Sequence, residues 1–391
     1  MLRNSAKRKI LIFCSHYLPG YKAGGPIRSV KGLVELIKED YGLYIVTLNH
    51  DFGDLNTFPD IDTNRWKQDK HYNIFYGSDD YFSLQNIKKI ILDIKPDYIY
   101  VNSFFDPVFS IKIYLILKLL LENKVKLIIA PRGEFSLGAL SLKKTKKKIF
   151  ICTFRYLLKK LKPKWHASSE KEKSQILKTL PSVDPSQINI AVNIPDINFE
   201  KKVQAIEPGL KDRKHVLKVC FLGRISKMKN LKFALEVLNN VEHEVVFSIF
   251  GPQEDQLYWE ECAKLINTMR DNVKIVVKGE IVHSKVQVEL SKHDVFFLPT
   301  LGENFGHVIF EALASGLILI ISDRTMWRDL KNIGVGWDIP LSNKFLFEKQ
   351  INELALMTPN QIAVLRRRCR AWSAQWFQEQ NFKMDYKNIF E

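Results

Sequence analysis

The feature that most constrains this chain is an alternation of short β-rich runs with amphipathic helical runs, which passes along the sequence and then starts again. The runs Lys9–Phe13, Leu43–Leu48, Asp97–Val101, Lys126–Ala130, Pro163–Ser168 and Ile188–Val192 read as strands. Helical spacing lies between several of them, at Ile27–Leu36 and around residues 108–121. A looser polar stretch follows, with Pro195, Lys201, Lys202, Pro208 and Gly209. The pattern then restarts with strands at Lys218–Leu222, Val245–Phe250, Val273–Val277, Val295–Leu298 and Leu317–Ile321, and helices at Leu231–Leu238 and Tyr258–Thr268. Strand–helix alternation implies a parallel sheet with helices on both faces. Two such passes imply two doubly wound α/β domains with ligands beyond the carboxyl ends of the strands. The expected boundaries are 1–195, a linker at 196–214, and 215–372. The segment 373–391 is a candidate for a helix crossing back to the first domain.

Composition narrows the class. Apolar residues make up 46% of 391, with 18 glycines and 15 prolines, which excludes a disordered or collagen-like chain. The five cysteines are scattered and form no CxxC. A disulfide framework and a zinc site are therefore not expected, and a reducing cytoplasm fits. The apolar run Ile10–Cys14 is too short for a signal-peptide core, and no stretch has the length of a spanning helix. The formal net charge of +16 favours anionic partners without choosing among nucleic acid, nucleotide and anionic lipid.

Much of that charge is local. Residues 141–180 hold thirteen Lys or Arg against Glu170 and Glu172. Phe150, Phe154, Leu157, Leu158 and Leu161 would form an apolar stripe on a helix here. Such a helix suits an anionic membrane surface, with 143–164 as the contact and Phe150, Phe154, Leu157 and Leu161 entering the interface. The bland alternative is a solvated lysine face over an ordinary core stripe. Nucleic-acid binding is a weaker reading, because no nucleic-acid module accompanies the charge.

The chemistry-bearing motifs sit where strands end. Gly24 and Gly25 lie between the first strand and the first helix, where free N–H groups suit a phosphate. Arg224 follows Gly223 at the end of the first strand of the second domain, and Lys229 comes shortly after. A guanidinium fork and an ammonium together suit a diphosphate. Gly251 ends the next strand and suits another close backbone approach. The most informative segment is Leu298-Pro-Thr-Leu-Gly-Glu-Asn-Phe-Gly-His-Val-Ile-Phe-Glu-Ala-Leu-Ala-Ser-Gly-Leu317. A helix is expected from about Phe305–Gly306 to Ser315. Glu303 in the loop and Glu311 about two turns into the helix would face one ligand at different depths. A carboxylate accepts from vicinal sugar hydroxyls.

Together these pieces resemble the retaining nucleotide-sugar glycosyltransferases of the GT-B fold, family 4 type, including the bacterial surface-polysaccharide group. The pieces are AGGP at 23–26, GRISKMKN at 223–230, FGP at 250–252, and GENFGHVIFEALASG at 302–316, which holds the E-x7-E motif as Glu303 and Glu311. The resemblance implies two facing Rossmann-like domains with an interdomain cleft. It implies transfer of a hexose or N-acetylhexosamine from a UDP-sugar, or alternatively a GDP-linked mannose or fucose. The acceptor would be a hydroxyl of a polyprenyl-diphosphate-linked saccharide at the inner face of the cell membrane.

Arg224 and Lys229 would bind the donor diphosphate, with Gly24 and Gly25 facing it from the other domain. Glu311 would take the ribose hydroxyls, and Glu303 would stand near the transferred sugar. Backbone groups at Phe305 and Gly306 would touch the sugar or distal phosphate. Neither a bound metal nor a further cofactor is implied. The sequence departs from the family at Arg132, in Ala130-Pro-Arg-Gly-Glu-Phe135, where many relatives carry a histidine. An arginine there suits leaving-phosphate charge and is a poor base. A sugar-nucleotide epimerase of the same fold and a basic nucleic-acid-binding protein remain the rival readings.

Overall fold

The computed structural model describes residues 7–120, 125–141, 144–197 and 216–391. Its contacts divide into two units, one comprising residues up to Asp196 together with Asn381–Glu391, the other Ile197–Gln380. Most of the expected linker lies outside the described residues.

The first unit is built on eight strands: β1 Lys9–Phe13, β2 Gly42–Leu48, β3 Trp66–Gln68, β4 Tyr72–Gly77, β5 Tyr98–Val101, β6 Lys126–Ile129, β7 Lys164–Ala167 and β8 Ile188–Ile190. They lie in the order β3-β4-β2-β1-β5-β6-β7-β8. The pairings are parallel except for β3, which runs antiparallel to β4 at the edge. Ile10, Leu11, Ile12 and Phe13 are all fully buried, as expected of a central parallel strand covered on both faces.

Alternate side chains feed two cores. One takes Ile10, Ile12, Tyr98 and Tyr100, and is covered by the helix Gly25–Ile37 through Val30, Leu33 and Val34. It is completed by Tyr386, Ile389 and Phe390 from the terminal helix Phe382–Phe390. The other takes Leu11, Phe13, Ile99 and Val101 under the helices Leu84–Ile94 and Lys112–Leu119.

The lysine-rich helix Lys144–Leu161 corrects one expectation. Its apolar stripe is already covered. Leu157 and Leu158 are buried, and Phe150, Phe154 and Leu161 pack against the second of these cores. The Phe150 and Phe154 rings stack at 4.1 Å, Phe150 meets Phe104 at 5.5 Å, and Phe154 meets Tyr114 at 6.4 Å. Inserting these side chains into a bilayer would strip the core, so they do not form the membrane contact foreseen from the sequence. The outward face carries Lys146, Lys148, Arg155, Lys159 and Lys160, with Ile149 61% and Tyr156 66% exposed. Lys143 falls outside the described residues. No described helix is long and apolar enough to cross a membrane.

The second unit holds β9 Leu217–Leu222, β10 Val245–Phe250, β11 Val273–Gly279, β12 Val295–Leu298, β13 Ile318–Ser322 and β14 Gly336–Ile339. Its order is β11-β10-β9-β12-β13-β14, parallel throughout. Gly336 has φ +146, and a Cβ there would fall 2.1 Å from the Leu319 carbonyl oxygen. The helix Pro359–Glu379 opens with a capping box between Thr358 and Gln361, which satisfies end amides reciprocally. The candidate helix 373–391 is divided: Gln380 turns extended (φ −76°, ψ 132°) between the helix Pro359–Glu379 and the helix Phe382–Phe390. In each sheet the parallel strands all end at one edge, and the loops that follow them there carry Gly24, Arg132, Arg224, Gly251 and Glu303.

Candidate functional site

In the second unit the site grows from three neighbouring strand-end loops. The loop after β9 and the loop after β10 are tied together by the Gly223 N–H to Phe250 O (3.1 Å) and the Ile225 N–H to Pro252 O (2.8 Å). This contact explains Gly251. Its φ is +132°, and a Cβ would fall 2.0 Å from the Gly223 carbonyl oxygen. The close approach foreseen at Gly251 is thus made to protein backbone, directly beneath Arg224. The Arg224 Nη1 donates to Glu254 Oε1 at 2.7 Å, with both side chains about one-third exposed.

Lys229 and Glu303 lie far apart in sequence but form an ion pair, with side chains 16% and 12% exposed. The loops carrying them are laced by Leu301 N–H to Met228 O (2.8 Å) and Asn230 Nδ2 to Pro299 O (3.0 Å). The helix after β12 is His307–Ala314, with Gly306 at φ 73° as its N-cap. A Cβ on Gly306 would meet Ile309 Cδ1 at 2.8 Å. Glu311 lies little more than one turn into this helix, not two, and is only 2% exposed. A surface role for it is excluded. His283, which opens the helix His283–Ser291, holds Nδ1 4.0 Å from Glu311 Oε1. The second unit therefore groups an ammonium, a guanidinium and two carboxylates on adjacent strand-end elements. That set suits a phosphate chain and a polyhydroxylated ligand.

The first unit contributes two sites of its own. The glycine loop is pinned at its start by Asp51, which accepts from the Tyr21 N–H at 2.7 Å and the Lys22 N–H at 3.1 Å. Gly24, at φ 70°, then caps the helix that Gly25 and Pro26 begin. A Cβ on Gly24 would meet nothing within 4 Å, so only its backbone conformation calls for glycine.

Arg132 sits at φ 54° past β6. Its Nε donates to Asn102 Oδ1 at 2.8 Å, its Nη1 to Asn193 Oδ1, and its Nη2 to the Tyr100 hydroxyl at 2.6 Å. The Tyr100 hydroxyl is 2.7 Å from His166 Nδ1, and His166 Nε2 is 2.8 Å from the Ala191 carbonyl. A carbonyl only accepts, so Nε2 carries the imidazole proton and Nδ1 accepts from Tyr100. Burial, aided by the Arg132 charge, pushes His166 well below the usual range. The guanidinium is thereby held in one orientation by neutral partners. Asn102, Asn193 and His166 gave no signal in the sequence, since each is an isolated polar residue on a different loop or strand.

Glu134 accepts from Ser103 Oγ (2.7 Å), the Phe104 N–H (2.5 Å) and the Phe105 N–H (3.2 Å). It braces the loop after β5. Burial pushes its carboxyl from 4.5 up to about 7, and those hydrogen bonds oppose the rise. Between these two values the folded chain keeps a proton that the unfolded chain has lost. Stability from this group is therefore greatest below about pH 4.5 and falls as pH rises towards 7. Glu134→Gln should flatten that fall, by at most about 3 kcal/mol. Thermal unfolding of both proteins at pH 5 and pH 8 checks this; parallel behaviour would refute it.

Among the described residues no group of three or more His, Cys, Asp or Glu is placed to hold a metal ion.

Residues 204–366 match the family model described as Glycosyl transferases group 1. No curated protein matches the sequence. Among solved structures, the chain is similar to Anabaena Alr3699/HepE, solved in complex with UDP and glucose, with TM-score 0.69, 15% identity and 98% of each chain covered. It is similar to the sucrose-phosphate synthase of Thermosynechococcus elongatus, at TM-score 0.69, 16% identity and 98% of each chain. It is also similar to WaaG, a glycosyltransferase involved in lipopolysaccharide biosynthesis, at TM-score 0.65 and 12% identity, covering 97% of this chain and 98% of that one. These likenesses establish the fold, two Rossmann-like domains of the GT-B type.

Proposed function

We propose that this chain is a retaining glycosyltransferase that moves a hexose or N-acetylhexosamine from a UDP-sugar to a hydroxyl of a lipid-linked saccharide in surface-polysaccharide synthesis. The observation that carries the reading is the pairing of Lys229 with Glu303, beside the Arg224 loop and followed by buried Glu311. The match of residues 204–366 to group 1 glycosyl transferases supports it. So does the fold shared with a protein solved with UDP and glucose.

Arg224 and Lys229 hold the diphosphate; in the first unit the Gly24 N–H already donates to the Tyr21 carbonyl at 3.0 Å, so of that loop only the Gly25 backbone is read as suited to a phosphate. Glu311 takes the ribose hydroxyls, while Glu303 and the Phe305–Gly306 backbone meet the sugar. The bond from C1 to the β-phosphate oxygen breaks as the acceptor oxygen attacks from the same face. The departing phosphate oxygen takes the acceptor proton. No enzyme nucleophile is needed, and Glu303 and Glu311 are not read as a glycosidase pair. Charge grows on the departing phosphate, where Arg224 and Lys229 stabilise it more in the transition state than before. In the first unit Arg132 is a fixed positive charge suited to a phosphate.

The outward face of the helix Lys144–Leu161 supports a reading of peripheral attachment to the inner face of the membrane. Lys146, Lys148, Arg155, Lys159 and Lys160 meet anionic headgroups, each contributing about 1 kcal/mol near such a surface. Calorimetric titration with UDP, GDP and ADP tests the donor. UDP should bind; tight GDP binding without UDP binding would reassign it to GDP-mannose or GDP-fucose, and binding of none would remove the transferase reading. Sedimentation with anionic and neutral vesicles tests the attachment. Binding to anionic vesicles should weaken with salt and with Lys146→Ser plus Lys148→Ser, and absent binding at low salt would remove the membrane claim alone.

A further inference from the structure

Trp327 lies on the loop after β13, outside every motif described above. It is 3% exposed, and its indole Nε1 donates to the Phe305 carbonyl at 2.6 Å. Two more bonds join the same pair of loops. Ser322 Oγ donates to Thr300 O at 2.6 Å, and the Glu303 N–H donates to Arg324 O at 3.3 Å. The loop that bears Glu303 is thus fastened at its start, its middle and its end to the loop bearing Trp327.

The indole itself cannot swing. Its ring stacks on Phe310 at 5.6 Å, lies 5.3 Å from Phe305 and 5.1 Å from Trp376. Its backbone N–H donates to Thr325 Oγ1 at 3.1 Å.

The consequence follows from peptide geometry. The bond between Phe305 and Gly306 is planar and trans, so its C=O and N–H point in opposite directions. Once the Phe305 carbonyl is held by a buried donor, the direction of the Gly306 N–H is set. Gly306 alone would not set it, because glycine at φ 73° has little steric preference among the conformations open to it. We propose that Trp327 is a positioning residue, whose indole N–H orients the Phe305–Gly306 peptide so that the Gly306 N–H faces the distal phosphate of the donor. This rests on the donor-site reading above.

Trp327→Phe keeps a large ring and removes the donor. It should lower affinity for UDP and kcat/KM for the UDP-sugar about tenfold, while UMP binds as it does to wild type. Trp327→His keeps an N–H on a smaller ring and should retain more UDP affinity than Trp327→Phe. Equal losses for UMP and UDP, or no loss for either, would overturn the assignment, as would a reversed order of the two variants. Should Trp327→Phe not fold, Trp327→His is compared with wild type using the same two nucleotides. Hydrogen exchange without nucleotide supplies an independent readout. Amides of residues 303–310 should exchange at least about tenfold faster in the variant; unchanged exchange refutes the role of Trp327 even if wild type binds no nucleotide, an outcome that would instead remove the functional reading.

Discussion

Arg224→Ala and Lys229→Ala should each lower kcat/KM by roughly 10²–10³, the effect of losing one donor aimed at developing charge, about 2.7–4 kcal/mol. The two losses have different origins. Arg224 presents a planar fork, and Glu254 holds one of its arms at 2.7 Å. Arg224→Lys keeps the charge but not the fork, so it should recover only part of the activity. Lys229 is a point charge against Glu303 in a nearly enclosed spot. Removing it leaves that carboxylate without its ammonium and sets a negative charge beside an incoming diphosphate. Lys229→Ala should therefore weaken nucleoside diphosphate binding as well as turnover. Glu303→Gln should affect turnover more than UDP affinity. Kinetics and calorimetry on folded variants check all of these, and wild-type values for both Arg224→Ala and Lys229→Ala would dismiss the diphosphate assignment.

Arg366→Met should destabilise the second unit by about 3–5 kcal/mol. Arg366 reaches from the helix Pro359–Glu379 into the amino-end side of the sheet. Its Nη1 lies 3.1 Å from Asp294 Oδ1, its Nε donates to Gly316 O at 3.0 Å, and its Nη2 donates to Ser291 O at 2.6 Å. Asp294 also accepts from the Lys218 N–H at 3.0 Å. Arg366 and Asp294 are 8% and 4% exposed at their side chains. Without the guanidinium a buried carboxylate loses its counter-charge, which costs far more than the pair itself contributes. Replacing Asp294 by Asn in the same chain should recover much of the loss. The exposed pair Lys344–Glu236, at 3.4 Å, is the control, and Lys344→Met should cost less than about 1 kcal/mol. Thermal unfolding decides; a shift no larger in Arg366→Met than in the control would show that the clamp carries no stability.

Local patterns carried much of this protein's architecture. The unbroken apolar run at Ile10–Phe13 and the helical spacing at Ile27–Leu36 declare their elements, because a strand covered on both faces is apolar at every position and burial on a helix repeats at 3.6 residues. Glycines at strand ends were legible because a positive φ excludes most other residues. The short edge strand β3 had no such signal, being exposed and only three residues long.

Tertiary structure decided the rest. Periodicity shows that Phe150, Phe154, Leu157 and Leu161 share a face, but not what covers it; the first unit's own core does. It showed Gly251 as a site of close approach, but not that the Gly223 carbonyl stands there. The partners of Arg132, Arg224, Lys229 and Arg366 come from other loops, strands and a helix end between 30 and 75 positions away. A hydrogen bond depends on ångström distances and on direction, and these exist only once the parallel sheet has brought distant strand ends side by side. Trp327 is the clearest case: in sequence an isolated aromatic residue, in the fold the donor that fixes a single peptide plane of the proposed donor site.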